Sequence, residues 1–241
     1  MIYNNWSDPN TASTWSANAD KHTPTRQEHL DILITLLEDH FQPGKTMLDL
    51  GFGSGIVEEM IFKRIPTAQI VGIDLSPAMM ALAKERLKAF PFQFISVEYD
   101  LARLQDLTQP GSRLPRQQYQ IAFSIQAMHH LSPGEMQAAY GALNTILEPG
   151  GLFVLVDKVA MPKPSLFPLY QTLWRRLDRL MNADQENFEG QTYEDHLEKL
   201  RELGDRPVTL AEHLRWLGEA GFDAAPLHLH GNRSIIAAQK V

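Results

Sequence analysis

The sequence predicts an α/β fold built on a doubly wound sheet, and three observations carry that reading. Short apolar strands alternate with amphipathic helical stretches from residue 46 to residue 157. This is the pattern of a mostly parallel sheet covered by helices on both faces. The first strand runs into three alternate glycines and then a helix, Leu48-Asp49-Leu50-Gly51-Phe52-Gly53-Ser54-Gly55-Ile56. Two apolar stretches, 222–229 and 234–238, close the chain around Gly231-Asn232 and read as an antiparallel hairpin. Seven strands result, the last antiparallel, with a helical insertion after strand five. Residues 1–241 read as a single domain.

Taken in order, residues 1–24 are polar but carry Tyr3, Trp6 and Trp15. Such a segment pins a terminus to the core or covers a site, and composition alone slightly favours the first. Residues 25–40 read as a helix, with Thr25 and Glu28 as a capping box and Leu30, Leu33, Ile34 and Leu37 as its stripe. A strand over 46–50, the glycine turn and a helix to about Lys63 follow. The second strand, 69–74, ends on Asp74, and Ser76-Pro77 opens the next helix as N-cap and first-turn proline. Strands over 92–97, 119–125 and 152–156 come next. Residues 104–118 are read as a loop that can hold a short helix, and Ser132 with Glu135 boxes the helix before the fifth strand. Segment 158–207 departs from the alternation. It holds one amphipathic helix with Leu169, Tyr170, Leu173 and Trp174, and a second boxed by Thr192 and Asp195. Neither can join the sheet, so they either decorate it, cover the crevice or form a homodimer face. A final helix opens with Thr209 and Glu212.

A strand, glycine turn and helix in that order make a nucleotide-type site at the carboxyl edge of the sheet, because glycine lets ligand approach backbone closely. The spacing excludes two common versions. G-x-G-x-G is not the dinucleotide G-x-G-x-x-G, and no Lys-Ser or Lys-Thr pair makes a P-loop. Asp49 just before the turn suits a ligand with positive charge rather than a phosphate. Asp74 lies nineteen positions after Gly55, close to the roughly 20 expected of a carboxylate that accepts from both ribose hydroxyls.

These residues resemble the class I S-adenosylmethionine (SAM)-dependent methyltransferases, whose first motif reads D-x-G-x-G-x-G. Asp49, Gly51, Gly53 and Gly55 match its fixed positions, while Phe52 stands where the family often has Cys or another small residue. Gly72-Ile73-Asp74-Leu75-Ser76-Pro77-Ala78-Met79 resembles the second motif. The resemblance covers 25–157 and 208–241 well, the rest loosely. It implies a Rossmann-like fold, SAM as cofactor, and a binding set of Asp49, Gly51, Phe52, Gly53, Gly55, Asp74, Leu75, Met79, Asp100, Leu101, Ile125 and Gln126. Asp100 would accept from the adenine amino group. It also implies that the segment before the first helix folds over the ligands, so Tyr3, Trp6 and Trp15, with Tyr170 and Trp174, are the expected acceptor-binding set.

His129 and His130 follow the fourth strand at the crevice edge. Either could be a general base, with a pKa near 6.5; either could equally be part of a structural turn. No metal is expected, because adjacent residues rarely both reach one ion.

Composition narrows the class. The 241 residues are 44% hydrophobic and 21% charged, ordinary for a globular protein. A net charge of -7 makes nucleic acid a poor partner. With no Cys, thiolate chemistry is excluded. Residues 1–19 lack the apolar core of a signal peptide and no run is long enough to span a bilayer, so a cytoplasmic enzyme acting on a small molecule is expected. A second reading is other SAM chemistry. The layout from Pro77 onward distantly resembles the carboxy-SAM synthases, although Glu198 stands near the position of their carboxylate-binding Arg, with Arg201 close by. A third is a SAM-binding protein without turnover.

Overall fold

The computed structural model describes residues 6–109, 111–116 and 118–241. Its sheet has seven strands: β1 (Met47–Leu50), β2 (Ile70–Asp74), β3 (Phe94–Glu98), β4 (Tyr119–Ile125), β5 (Leu147–Lys158), β6 (Phe222–His230) and β7 (Arg233–Lys240). They lie in the order β3-β2-β1-β4-β5-β7-β6. β1 to β5 are parallel, and β7 runs antiparallel to both β5 and β6. The chain moves outward through β2 and β3, then returns to the other side of β1 with β4. Ligands bind at such a reversal, beyond the carboxyl ends of the strands.

Helices α1 (Pro9–His22), α2 (Arg26–His40), α3 (Ile56–Arg64), α4 (Pro77–Arg86), α5 (Pro133–Ile146), α6 (Phe167–Met181), α7 (Gln185–Glu189), α8 (Tyr193–Leu203) and α9 (Leu210–Glu219) complete the fold. Period-two alternation in β1 divides the core. Leu48 and Leu50 join Tyr140, Leu143, Phe153 and Trp216 in one cluster. Met47 joins Leu33, Leu37, Ile61 and Phe123 in the other. Asp49 shares the register of Met47 and therefore emerges among the residues of α3.

The capping boxes of Ser132 with Glu135, Thr192 with Asp195 and Thr209 with Glu212 all form. Thr25 caps nothing through its side chain; α2 instead follows a turn in which Arg26 N donates to Thr23 O at 2.8 Å. The polar start of the chain is itself a helix. Asp8 accepts from Thr11 N at 2.8 Å and Pro9 opens the first turn. The short helix allowed for within 104–118 is a 3₁₀ helix that starts three residues earlier, Leu101–Thr108. The segment after β5 has three helices where two were expected, α7 being the addition. The outward side of α6 leaves Leu169, Leu180 and Met181 exposed. Among the described residues, no helix is long and apolar enough to cross a membrane.

Candidate active site

The glycine turn forms the near wall of a crevice at the carboxyl edge of β1 and β4. Its glycines do different work. Gly51 (φ +88) lies where an added Cβ would fall 2.4 Å from Ala127 Cβ, so it lets β4's exit pass over β1's. Gly53 (φ +58) has nothing within 4 Å of such a Cβ; here the bare backbone faces ligand space. Gly55 packs α3 against Ala83 of α4. Asp74 ties the turn down. Its carboxylate accepts from Gly53 N and from Ser76 N, each at 2.8 Å. Burial raises its pKa, against the pull of those amides. Each oxygen is thus engaged once and retains further acceptor capacity, so Asp74 is not wholly spare for a ligand.

Asp49 lines the crevice and is 1% exposed. Behind it sits Glu58 of α3, 0% exposed. Asp49 Oδ1 and both Glu58 carboxyl oxygens are buried without a geometrically sound hydrogen-bond partner. Burial, then proximity to Glu58, holds the Asp49 pKa well above the usual carboxylate range, and burial raises that of Glu58. The pair therefore retains a proton that a cation arriving beside Asp49 would help release.

The far wall is polar. Directly after β4 comes Gln126, a non-glycine residue at φ +54, held where Gln126 N donates to Val156 O at 2.9 Å. The 3₁₀ turn after it sets the His129 and His130 rings 4.3 Å apart, centre to centre, with their planes tilted by 48°. Asp157, at the end of β5, accepts from the His129 backbone N–H at 2.9 Å and bonds His129 Nδ1. His129 Nε2 and His130 Nδ1 both lie 3.4 Å from Asp205 Oδ1, and Lys158 Nζ binds Asp205 Oδ2. For His129, burial works downward but Asp157 and Asp205 outweigh it, lifting the pKa to about 9. Burial and the neighbouring His129 take His130 down to about 4. Deeper in, Arg233 Nη2 pairs with Glu189 Oε1 at 2.8 Å, and Arg233 Nη1 lies 3.4 Å from Gln126 Oε1.

Of the residues expected from sequence, Asp49, Gly51, Phe52, Gly53, Asp74, Met79, Ile125, Gln126, His129 and His130 line this one crevice, with Trp6 and Trp15 above it. Tyr3 lies outside the described residues. Six expected residues make other contacts in this structure. Gly55 faces α4. Leu75 is 55% exposed, outside the crevice. Asp100 caps the 3₁₀ segment by accepting from Ala102 N at 2.9 Å, and Leu101 packs on the core beside Gly51. Trp174 is buried with Phe167 and Met161, with Tyr170 beside them; they build the inserted helices instead of lining the crevice. The sequence reading missed Glu58, Lys158, Phe188, Asp205 and Arg233. Glu58 was detectable as a carboxylate inside the apolar stripe of Val57, Ile61 and Phe62; Asp205 and Arg233 carry no local signal.

The arrangement fits SAM: an open glycine backbone, a carboxylate at the end of β2 and an unpartnered carboxyl oxygen on Asp49. A family model described as a methyltransferase domain matches residues 47–151. A carboxy-S-adenosyl-L-methionine synthase of Trichlorobacter lovleyi is 30% identical over 188 residues, 77% of this chain and 72% of that protein. The demethylmenaquinone methyltransferase of Thermus thermophilus is 28% identical over 133 residues, 55% of this chain and 56% of that one. Among solved structures, the Synechocystis magnesium protoporphyrin IX methyltransferase with bound SAH superimposes with a TM-score of 0.61 at 16% identity, covering 92% of this chain and 86% of that one. The motif of strand one, the sheet order and these relatives agree: the chain belongs to the class I SAM-dependent methyltransferases and is an enzyme whose cofactor is SAM.

Proposed function

We propose that the crevice holds SAM along the glycine turn and presents its methyl group to a small molecule seated under α1 and the helices after β5. The observation that supports this most is the continuity of the crevice. One wall is Gly51, Gly53, Asp49 and Asp74; the other is His130, Lys158, Asp205 and Arg233; Trp6, Trp15, Phe188 and Leu203 close it.

In this reading Asp74 accepts from the ribose hydroxyls, Gly53 gives the cofactor backbone contact, and Asp49 with Glu58 places negative charge near the amino acid end. SAM supplies a methyl already activated on a sulfonium. What remains for the chain is to align the acceptor, exclude water and manage any proton. Trp6 and Trp15, whose rings meet edge to face at 5.4 Å, supply an apolar lid, with residues 1–24 as the covering segment and 158–207 as the acceptor-facing insertion of a single domain. The test is calorimetry with SAM and SAH, followed by labelled SAM with a metabolite extract and mass spectrometry of the products. One SAM per chain and a methylated metabolite are expected. Failure of both SAM and SAH to bind at millimolar concentration would overturn the assignment.

A second reading has specific support, because the 30% identical relative is a carboxy-SAM synthase. The same experiment separates the two: that chemistry leaves a modified, heavier SAM derivative and no methylated metabolite.

A further inference from the structure

We propose that His129, His130 and Asp205 form a binding site for a divalent transition-metal ion of the zinc or iron(II) kind. The ion's open side faces the crevice.

Three donor atoms converge from two distant segments. The 3₁₀ turn after β4 brings both histidine rings, and the loop after α8 brings the carboxylate. His129 Nε2, His130 Nδ1 and Asp205 Oδ1 lie within 4.8 Å of one another, each nitrogen 3.4 Å from the oxygen. That separation is long for a hydrogen bond, which centres near 2.9 Å. It is the spacing expected of neighbouring ligands on a tetrahedral ion with bonds of about 2.0–2.1 Å. An ordinary ion pair would pull one ring onto the carboxylate. Instead, two rings stand off the same oxygen at the same distance.

The surroundings of these donors are those of ligands. His129 turns its other nitrogen to Asp157, which also accepts from the His129 backbone N–H. This fixes the ring with Nε2 forward, the arrangement that orients metal-bound histidines. Asp205 gives its second oxygen to Lys158 and keeps Oδ1 for the ion. Two imidazoles and one carboxylate suit zinc, iron(II) or cobalt(II), and not magnesium or calcium, which prefer oxygen. All three residues line the crevice, so a position stays open toward whatever occupies it. Given the acceptor position proposed above, an oxygen-bearing acceptor would bind there and deprotonate more readily on the ion. Adjacent residues rarely both reach one ion, but the 3₁₀ turn brings a nitrogen of each ring to within 3.4 Å of Asp205 Oδ1.

The test uses the full chain, stripped with a chelator and titrated with Co²⁺ and Zn²⁺. We expect one Co²⁺ per chain, visible d–d absorption of tetrahedral or five-coordinate type, and a higher melting temperature with Zn²⁺. Asp205→Asn and His130→Ala should each weaken binding by at least a hundredfold, and Asp157→Asn by about 10–100-fold. SAH affinity, measured on every variant, reports that the fold and cofactor site survive. Co²⁺ binding that is absent, or equal in wild type, Asp205→Asn and His130→Ala, would overturn the proposal. Co²⁺ binding as described without SAH binding would uphold the metal site and remove the cofactor placement instead.

Discussion

Asp49 and Glu58 meet beneath the glycine turn, both wholly buried, one on the strand and one on the helix that the turn connects. Two carboxyls in one dry space cannot both ionise cheaply, and each has its pKa raised. A carboxyl whose folded pKa exceeds its unfolded value holds its proton better in the native state. Stability is therefore lost as pH rises above about 4, the unfolded value. Glu58→Gln should raise the melting temperature of the ligand-free protein at pH 7–8, with the gain shrinking toward pH 4. A gain independent of pH, measured by scanning calorimetry, would refute the shared-proton picture.

Asp74 should prove structural as well as ligand-binding. Its two backbone hydrogen bonds join the glycine turn to the start of α4. Asp74→Ala should cost about 1–3 kcal/mol of stability, read by urea unfolding, and also weaken SAH binding at least tenfold. Full stability with lost binding would show that the two amides find other partners.

Two glycines of one motif should fail differently. Gly51→Ala drives a methyl into Ala127 and should cost about 2–5 kcal/mol through overpacking and left-handed strain. Gly53→Ala meets open space and should cost only about 1–2 kcal/mol, yet impair SAH binding. Equal stability loss at both positions would contradict the packing seen at Gly51.

Trp15 should matter to the acceptor more than to the cofactor. α1 packs Ala12 against Ala78 and Met79 of α4, so deleting the helix would disturb both, whereas Trp15→Ala isolates the crevice face. SAH affinity should stay within about tenfold, roughly 1.4 kcal/mol, while methyl transfer falls far more. Unchanged transfer with a lowered melting temperature would make Trp15 an anchor only.

His29 should make the fold acid-sensitive. It is 2% exposed and faces His228, His230 and Arg233, and burial foremost takes its pKa down to about 4. A histidine with a lowered folded pKa is charged more readily when unfolded, so stability is lost as pH falls from about 6.5 to 4. In His29→Leu the slope of melting temperature against pH over that window should flatten. An unchanged slope would assign the sensitivity to other groups.

The sequence made the sheet legible because its strands are short apolar runs bounded by glycine, proline or N-cap residues. The wall built on the glycine turn was legible for the same reason: Asp49, the glycines and Asp74 sit at fixed offsets from strand ends. The opposite wall was not. Asp205 and Arg233 reach the crevice only through tertiary placement, 75 and 103 residues after His130, and no spacing rule links them. Tyr170 and Trp174 show why: an amphipathic helix rich in aromatics has the same pattern whether its stripe meets a ligand or its own neighbours, here Phe167 and Tyr193. α1 was missed because its polar composition hid the Asp8-Pro9 start.

Because β7 runs against its neighbours, it brings its first residues to the crevice, where parallel strands bring their last. The β6–β7 turn thus delivers Asn232 and Arg233, and both find Glu189 of α7. Two stretches some forty residues apart are therefore locked as a cassette. A chimera that imports the helices between β5 and α9 from a relative, but keeps this turn, would bury an arginine without its carboxylate, at a cost of about 3–5 kcal/mol. Moving turn and helices together would avoid that loss.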